Sequence, residues 1–369
     1  MSERKVEFRD CSGTSAPELK LWPAVVIPRC DIETEIQRLA QLPPPPNGRR
    51  SSTIVHPNAT EPGLGLAPGI RVTLNVLKPG ERTRPIRHNS TQIDFCIRGR
   101  GTAMVRGQRI EFEEYDVWNT PSMAPYWCVN EDRELQVRLT YSNAALLEKM
   151  NVHVVEDDPT LVAADATSPA VREAEPSNNN ASPFGTFQLT RDGALLMPYE
   201  RYINPPVVEP KVLHWPWKLV KEELDKLAGL GKDYVGRRVY VLYNPTSGRT
   251  NGTTPNFSAA IAIRPPRIVD RPHRHTSAAI NYYFAGSGRS TVDGKVYEWR
   301  SGDLMLSAPG WGVHNHASYD EPVYEMNVQD QPLNIAMESL LWQEQMKLPV
   351  TVLGAQAGFE TNRAELRNS

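Results

Sequence analysis

Four of the eight histidines in this 369-residue chain fall in two doublets, His273-Arg274-His275 and His314-Asn315-His316, roughly forty residues apart. Residues two apart on a strand point to the same side, so His273 and His275 can share one face. His314 follows Gly302-Asp303 and Pro309-Gly310-Trp311, a turn-and-strand pattern able to return it to the same point. Three neutral imidazoles suit a divalent first-row metal and leave coordination positions open for substrate. Scattered histidines are more often ordinary, and His56, His88, His153 and His214 are read that way.

The elements that must position this cluster read as strands. Residues 70–142 hold IRVTLNVL, QIDFCI, GTAMVRG and LQVRLTY, separated by Gly, Pro and Asp, and residues 236–328 follow the same style. The two blocks are copies. An offset of 187 sets Gly99 on Gly286, His88 on His275, Gly107 on Gly294 and Asp116 on Asp303, and one extra residue brings Pro121 onto Pro309. Repeated all-β blocks of this kind predict two jelly-roll barrels. The first copy has Ile86 in the place of His273 and Tyr126 in the place of His314. A single remaining imidazole, His88, holds an ion poorly, so the first barrel is expected to be metal-free.

Helices are expected at 32–42 and at 215–230, the latter amphipathic through Leu219, Leu224, Leu227 and Leu230. The PPPPNGRRSS run between them is expected to be extended. The division expected is an N-terminal arm (1–65), a first barrel (66–164), a linker (165–210), a second barrel with the metal site (211–345) and a tail (346–369). The net charge of -2 gives no field for nucleic acid or anionic membrane. No stretch approaches the ~20 apolar residues of a membrane helix. The polar start MSERKVEFRD is not a secretory signal, and Cys11, Cys30, Cys96 and Cys128 form no CxxC pair. A cytoplasmic location is the expectation.

At these residues the sequence resembles the cupin superfamily. More narrowly it resembles the gentisate 1,2-dioxygenase group, which includes salicylate and 1-hydroxy-2-naphthoate dioxygenases. The likeness runs through most of residues 70–340. HRHTS (273–277), PGWGVHNH (309–316), YNPTSG (243–248), WPWK (215–218) with the helix after it, and DQPL (330–333) carry it. The resemblance implies an all-β-dominated bicupin with a few helices, assembled as a homo-oligomer, often a tetramer. It implies Fe(2+), O2 and cleavage of an aromatic carboxylate between the carboxyl-bearing carbon and its hydroxylated neighbour. His273, His275 and His314 would then be the iron ligands. His316 would be the catalytic histidine that hydrogen-bonds substrate or oxygen.

Two positions depart from the group. Its better-known members keep the iron histidines in the first barrel, and Asn281 stands where an arginine is common. The glutamate of many manganese or iron cupins is also missing, its places held by Ala279 and Ile280. A three-histidine site keeps the full 2+ charge on the metal and favours a dianionic chelator such as a salicylate. A carboxylate still needs a cation nearby, and Arg264, Arg289 and Arg238 are candidates. Alternation puts Ser258, Ala260, Ala262 and Arg264 on one side of their strand, where the small residues leave room for a ring substituent. Asn281 and Tyr283 share a face of the next strand. The expected substrate is gentisate or another 5-substituted salicylate. The competing readings are a manganese isomerase or decarboxylase, a ligand-binding or storage bicupin, and a nucleic-acid-binding regulator. For the last, no helix-turn-helix or basic stripe is visible.

Overall fold

The computed structural model describes residues 6–160, 185–230, 234 and 236–359. Alternation along the strands dictates the layering. In the Arg71–Leu77 strand, Val72, Leu74 and Val76 enter the main core, while Arg71, Thr73 and Asn75 turn the other way, into the first barrel. In the Ala278–Ala285 strand, Ala278, Ile280, Tyr282 and Phe284 enter that same core. The two barrels therefore share one apolar layer. Phe95 meets Tyr282 at 5.8 Å and Phe284 at 5.9 Å between ring centroids.

Each barrel is built on one six-stranded antiparallel sheet, and the two sheets have the same order. In the first, His214–Trp215, Val117–Thr120, Gln92–Arg98, Gln136–Ser142, Arg71–Leu77 and Arg50–Ile54 lie side by side. In the second the order is Val25–Ile27, Leu304–Pro309, Ala278–Ala285, Val323–Gln329, Ser258–Arg264 and Val239–Val241. The offset of 187 read between Gly99 and Gly286 also relates Arg71–Leu77 to Ser258–Arg264 and Gln136–Ser142 to Val323–Gln329. The extra residue before Pro309 is thus absorbed by the turn ahead of Val323.

The edge strands are exchanged. Val25–Ile27 precedes the first barrel in sequence, yet it pairs with Leu304–Leu306 of the second. His214–Trp215 precedes the second barrel and pairs with Val117–Trp118 of the first. Each edge strand runs through a proline into a helix, Arg29–Gln41 or Trp217–Ala228. Each helix start is met by an equivalent aspartate. Asp303 accepts from the Arg29 amide at 2.7 Å, and Asp116 accepts from the Trp217 amide at 2.7 Å. A carboxylate there satisfies an orphan N–H and complements the helix dipole.

Residues 185–210 carry a small hairpin, Phe187–Gln188 with Leu195–Leu196, and the short helix Tyr199–Tyr202. Expected linker residues 165–184 and expected tail residues 360–369 lie outside the described residues. All four cysteines are free thiols, Cys96 and Cys128 buried. No described helix is long and apolar enough to cross a membrane.

Candidate metal centre

His273 and His314 exchange both backbone hydrogen bonds, His273 N to His314 O at 3.1 Å and His314 N to His273 O at 2.9 Å. Directly opposed residues carry adjacent side chains, and their ring centroids lie 4.3 Å apart. His275 belongs to the short strand Arg274–His275, paired with Gln343 and Trp342. The nitrogens available on His273, His275 and His314 all lie within 4.8 Å of one another, and all three residues are buried.

Each of these rings is fixed by its other nitrogen. Nδ1 of His273 lies 3.2 Å from the Arg271 carbonyl, that of His275 2.9 Å from the Ser277 carbonyl, and that of His314 3.0 Å from the Gly312 carbonyl. A carbonyl only accepts, so each Nδ1 carries the proton and each Nε2 offers a lone pair. Burial holds all three below the ordinary histidine range, His314 at about 4. Neutral, oriented imidazoles are what a divalent metal requires, and the donor set fits one.

His316 has a hydroxyl rather than a carbonyl on its Nδ1. Trp299 Nε1 donates to Ser290 Oγ at 2.9 Å, and Ser290 Oγ lies 2.7 Å from His316 Nδ1. A hydroxyl oxygen accepts twice and donates once, so this contact suits either ring tautomer; where the Ser290 hydrogen goes to Nδ1, the ring carries its proton on Nε2 and is a donor there. Burial, then the Arg264 charge, holds His316 well below the ordinary range, so it stays neutral. Its ring centroid is 5.8 Å from that of His314.

A partly buried chain of hydrogen bonds starts at Ser277, whose Oγ lies 2.9 Å from His275 Nδ1. Ser277 Oγ donates to Gln329 Oε1 at 3.2 Å, and Gln329 Nε2 to Asn327 Oδ1 at 2.9 Å. Asn327 Nδ2 then donates to Asn281 Oδ1 at 2.8 Å, and Asn281 Nδ2 to Glu325 Oε2 at 3.0 Å. Arg264 closes the chain, bound to Glu325 Oε1 at 2.9 Å and to Asp270.

Comparison with known proteins gives this geometry a context. Residues 258–348 match the family described as the AraC-like ligand binding domain. A 5-aminosalicylate 1,2-dioxygenase from Comamonas sp is 24% identical over 308 residues, 82% of this chain and 76% of the relative. A 1-hydroxy-2-naphthoate 1,2-dioxygenase from Nocardioides sp. (strain KP7) is 26% identical over 325 residues, 85% of this chain and 75% of the relative. The crystal structure of salicylate 1,2-dioxygenase from Pseudaminobacter salicylatoxidans superposes with a TM-score of 0.69 over 91% of both chains at 15% identity. The chain is a bicupin related to the gentisate and salicylate 1,2-dioxygenases.

The bicupin frame sorts the substrate-binding candidates. Ser258, Ala260 and Ala262 do share a face, because Ala259, Ile261 and Ile263 enter the shared core. Asn281 lies on the inward face, but its amide is held by Glu325, Ser307 and Asn327. Tyr283 is fully buried and stacks on Trp299 at 3.8 Å with planes 3° apart, as part of a small apolar cluster with Met305 and Val323. It fills the barrel.

The three arginine candidates sit as follows in the fold. Arg264 faces inward, but two carboxylates already bind its guanidinium. Arg289 is exposed, because the strand that turns Ser290 inward turns its neighbour outward. Arg238 donates to the Leu230 carbonyl at 2.8 Å and lies over the Tyr234 ring.

Besides Arg264, which acts on His316, the neighbouring and itself exposed Arg237 acts on the cluster. Its positive charge lowers all four histidines of the two doublets. It lies 5.6 Å over the Trp342 ring and pairs with Glu344 at 3.3 Å. Trp342 stacks on His275 at 4.6 Å and on His273 at 5.9 Å. Arg237 precedes the Val239–Val241 strand, so alternation could not choose it over Arg238. In the first barrel the ion pair corresponding to Arg237–Glu344 is Arg49–Asp157, with the arginine one residue out of the 187 register, so the repeat does not single it out either.

Proposed function

We propose that this bicupin is an Fe(2+)-dependent dioxygenase that opens a gentisate- or 5-substituted-salicylate-type acid between the carboxyl-bearing carbon and the adjacent hydroxylated carbon, using O2. The observation that carries the reading is the buried set of three neutral imidazoles, with no carboxylate in the set and a fourth buried histidine beside it. Iron(II) held by His273, His275 and His314 would chelate the carboxylate and phenolate oxygens and supply the redox chemistry with dioxygen. His316 Nε2–H donates a hydrogen bond to an oxygen of the bound acid. Arg237 opposes the carboxylate charge, and Trp342 keeps water from the rings it covers. Ser258, Ala260 and Ala262 leave space for a substituent on the aromatic ring.

The relatives support that choice of substrate class. Besides the 5-aminosalicylate enzyme, a 5-nitrosalicylic acid 1,2-dioxygenase from Bradyrhizobium sp is 28% identical over 138 residues, 35% of this chain and 65% of the relative. A solved salicylate 1,2-dioxygenase holds gentisate. By the same likeness the enzyme would be a cytoplasmic homo-oligomer. The test is anaerobic loading with iron(II), followed by oxygen uptake on salicylate, gentisate and the 5-amino, 5-nitro and 5-chloro acids. Stoichiometric uptake with a 5-substituted acid is expected. Failure of every acid in the iron-loaded protein would remove the reading.

A further inference from the structure

The first barrel keeps the plan of the second without its imidazoles. His88 Nδ1 donates to the Ser90 carbonyl at 3.0 Å, as His275 does to Ser277. Ile86 pairs with Tyr126 where His273 pairs with His314, and Tyr126 donates its hydroxyl to His88 Nε2 at 3.1 Å. Small barrels without a ligand are normally filled by side chains. This one holds a hollow of about 220 Å³.

The wall of the hollow is strongly cationic. Arg49, Arg50, Arg71 and Arg138 line it, and Asp94 is the one carboxylate among its lining residues. The carboxylate partners of the first three are not among its lining residues. Asp157, Glu81 and Glu148 have side chains 69%, 23% and 28% exposed, against 17%, 1% and 20% for their arginines. Cations inside and counter-ions at the rim focus a positive field into the hollow.

Two guanidinium atoms add a specific demand. Arg138 is 5% exposed and binds Asp94 through Nη1 at 3.2 Å, yet its buried Nε meets no acceptor among the described residues. Arg50 Nη2 is buried in the same condition. Buried donors of this kind call for a partner. Ile86, Leu77 and Ala144 supply apolar wall beside them, which a bare inorganic anion would leave uncovered.

We propose that the first barrel is a binding site for a small organic carboxylate, with the carboxylate facing Arg138 and Arg50 and the carbon skeleton against Ile86 and Leu77. The proposal stands apart from the ring-cleavage reading, since no residue of the three-histidine cluster takes part. Its probe is benzoate, titrated calorimetrically into the full-length, metal-depleted protein. Arg237→Met serves as the background, so that the second barrel loses its cation. Saturable binding at or below about 1 mM is expected, weakening with salt. Thr73→Phe, which fills the hollow without removing a charge, should weaken binding at least about tenfold. The paired change Asp94→Leu/Arg138→Met, which leaves no lone buried charge, should do the same. Absence of binding, or unchanged binding in either variant with native circular dichroism, overturns the proposal. Inorganic phosphate binding as tightly as benzoate overturns the organic class. Should neither variant fold, crystals of the unmodified protein grown with 4-bromobenzoate decide by the bromine anomalous signal. A peak inside the first barrel supports the site, and its absence there removes it.

Discussion

At the scale of single residues, proton placement separates two kinds of histidine that the sequence presents alike. His273, His275 and His314 donate from Nδ1 to backbone carbonyls, whereas His316 Nδ1 faces the Ser290 hydroxyl. Three therefore present a lone pair at Nε2, and the fourth is free to present a proton there. His314→Ala leaves two imidazoles, which hold an ion poorly. Elemental analysis of that variant should find metal content reduced at least about tenfold, while His88→Ala should stay near the parent value. One iron per chain in His314→Ala would show the ligand assignment to be wrong. Arg237 is tested separately. A charge-assisted contact to a carboxylate is worth about 1.5–3 kcal/mol, so Arg237→Met should raise KM for the aromatic acid about tenfold to a hundredfold. An unchanged KM would remove Arg237 from substrate binding.

At the scale of elements, the repeat shows one joint built in two chemistries. The strands Gln136–Ser142 and Val323–Gln329 each lead into a short helix, Ala144–Lys149 or Gln331–Ala336. In the first copy the Asn143 side chain accepts from the Thr91 amide at 2.9 Å, and in the second Asp330 accepts from the Ala278 amide at 2.8 Å. Burial pushes the Asp330 carboxyl up to about 7 from an ordinary 3.8. The folded protein thus holds a proton that the unfolded chain loses above 3.8. This group's contribution is fully present below that value and is lost as pH rises through 7. Asp330→Asn keeps the acceptor and removes the ionisation. Its gain over the parent should be near zero at pH 4 and about 1–2 kcal/mol at pH 8, read from chemical denaturation at the two pH values. A variant less stable than the parent at pH 8 would show that the carboxylate itself is needed.

At the scale of the whole molecule, the exchanged edge strands tie each barrel to the other's lead-in segment. Ala24 packs with Tyr283, Trp299 and Met305 in the three-histidine barrel, and Val25–Ile27 closes the edge of its sheet. A chain starting at Arg29 should keep native secondary structure but melt lower by roughly 5 °C or more, and it should lose metal more readily on dialysis. A melting temperature equal to the parent's would mean that the exchanged strand contributes nothing to the second barrel. The same shared frame gathers imidazoles inside one barrel and guanidinium groups around the hollow of the other.

The repeat register, the two sheets and the identity of the clustered histidines were legible in the sequence. They depend on local alternation and on turn residues spaced alike in both copies, so Gly99 and Gly286, or Asp116 and Asp303, align without coordinates. Alternation also placed Ser258, Ala260 and Ala262 together on one face. It could assign Arg264 to an inward face but could not show that Glu325 and Asp270 had already taken its charge, because those partners come from distant segments. Nor could it choose Arg237 over Arg238, since neither lies within a strand. The sequence by itself determined which residue types recur at which spacing. Tertiary structure alone decided which group faces Nδ1 of each histidine, which arginine charge reaches all four of them, and which barrel each edge strand completes. Those outcomes rest on contacts between groups far apart in the chain, and no local pattern encodes them.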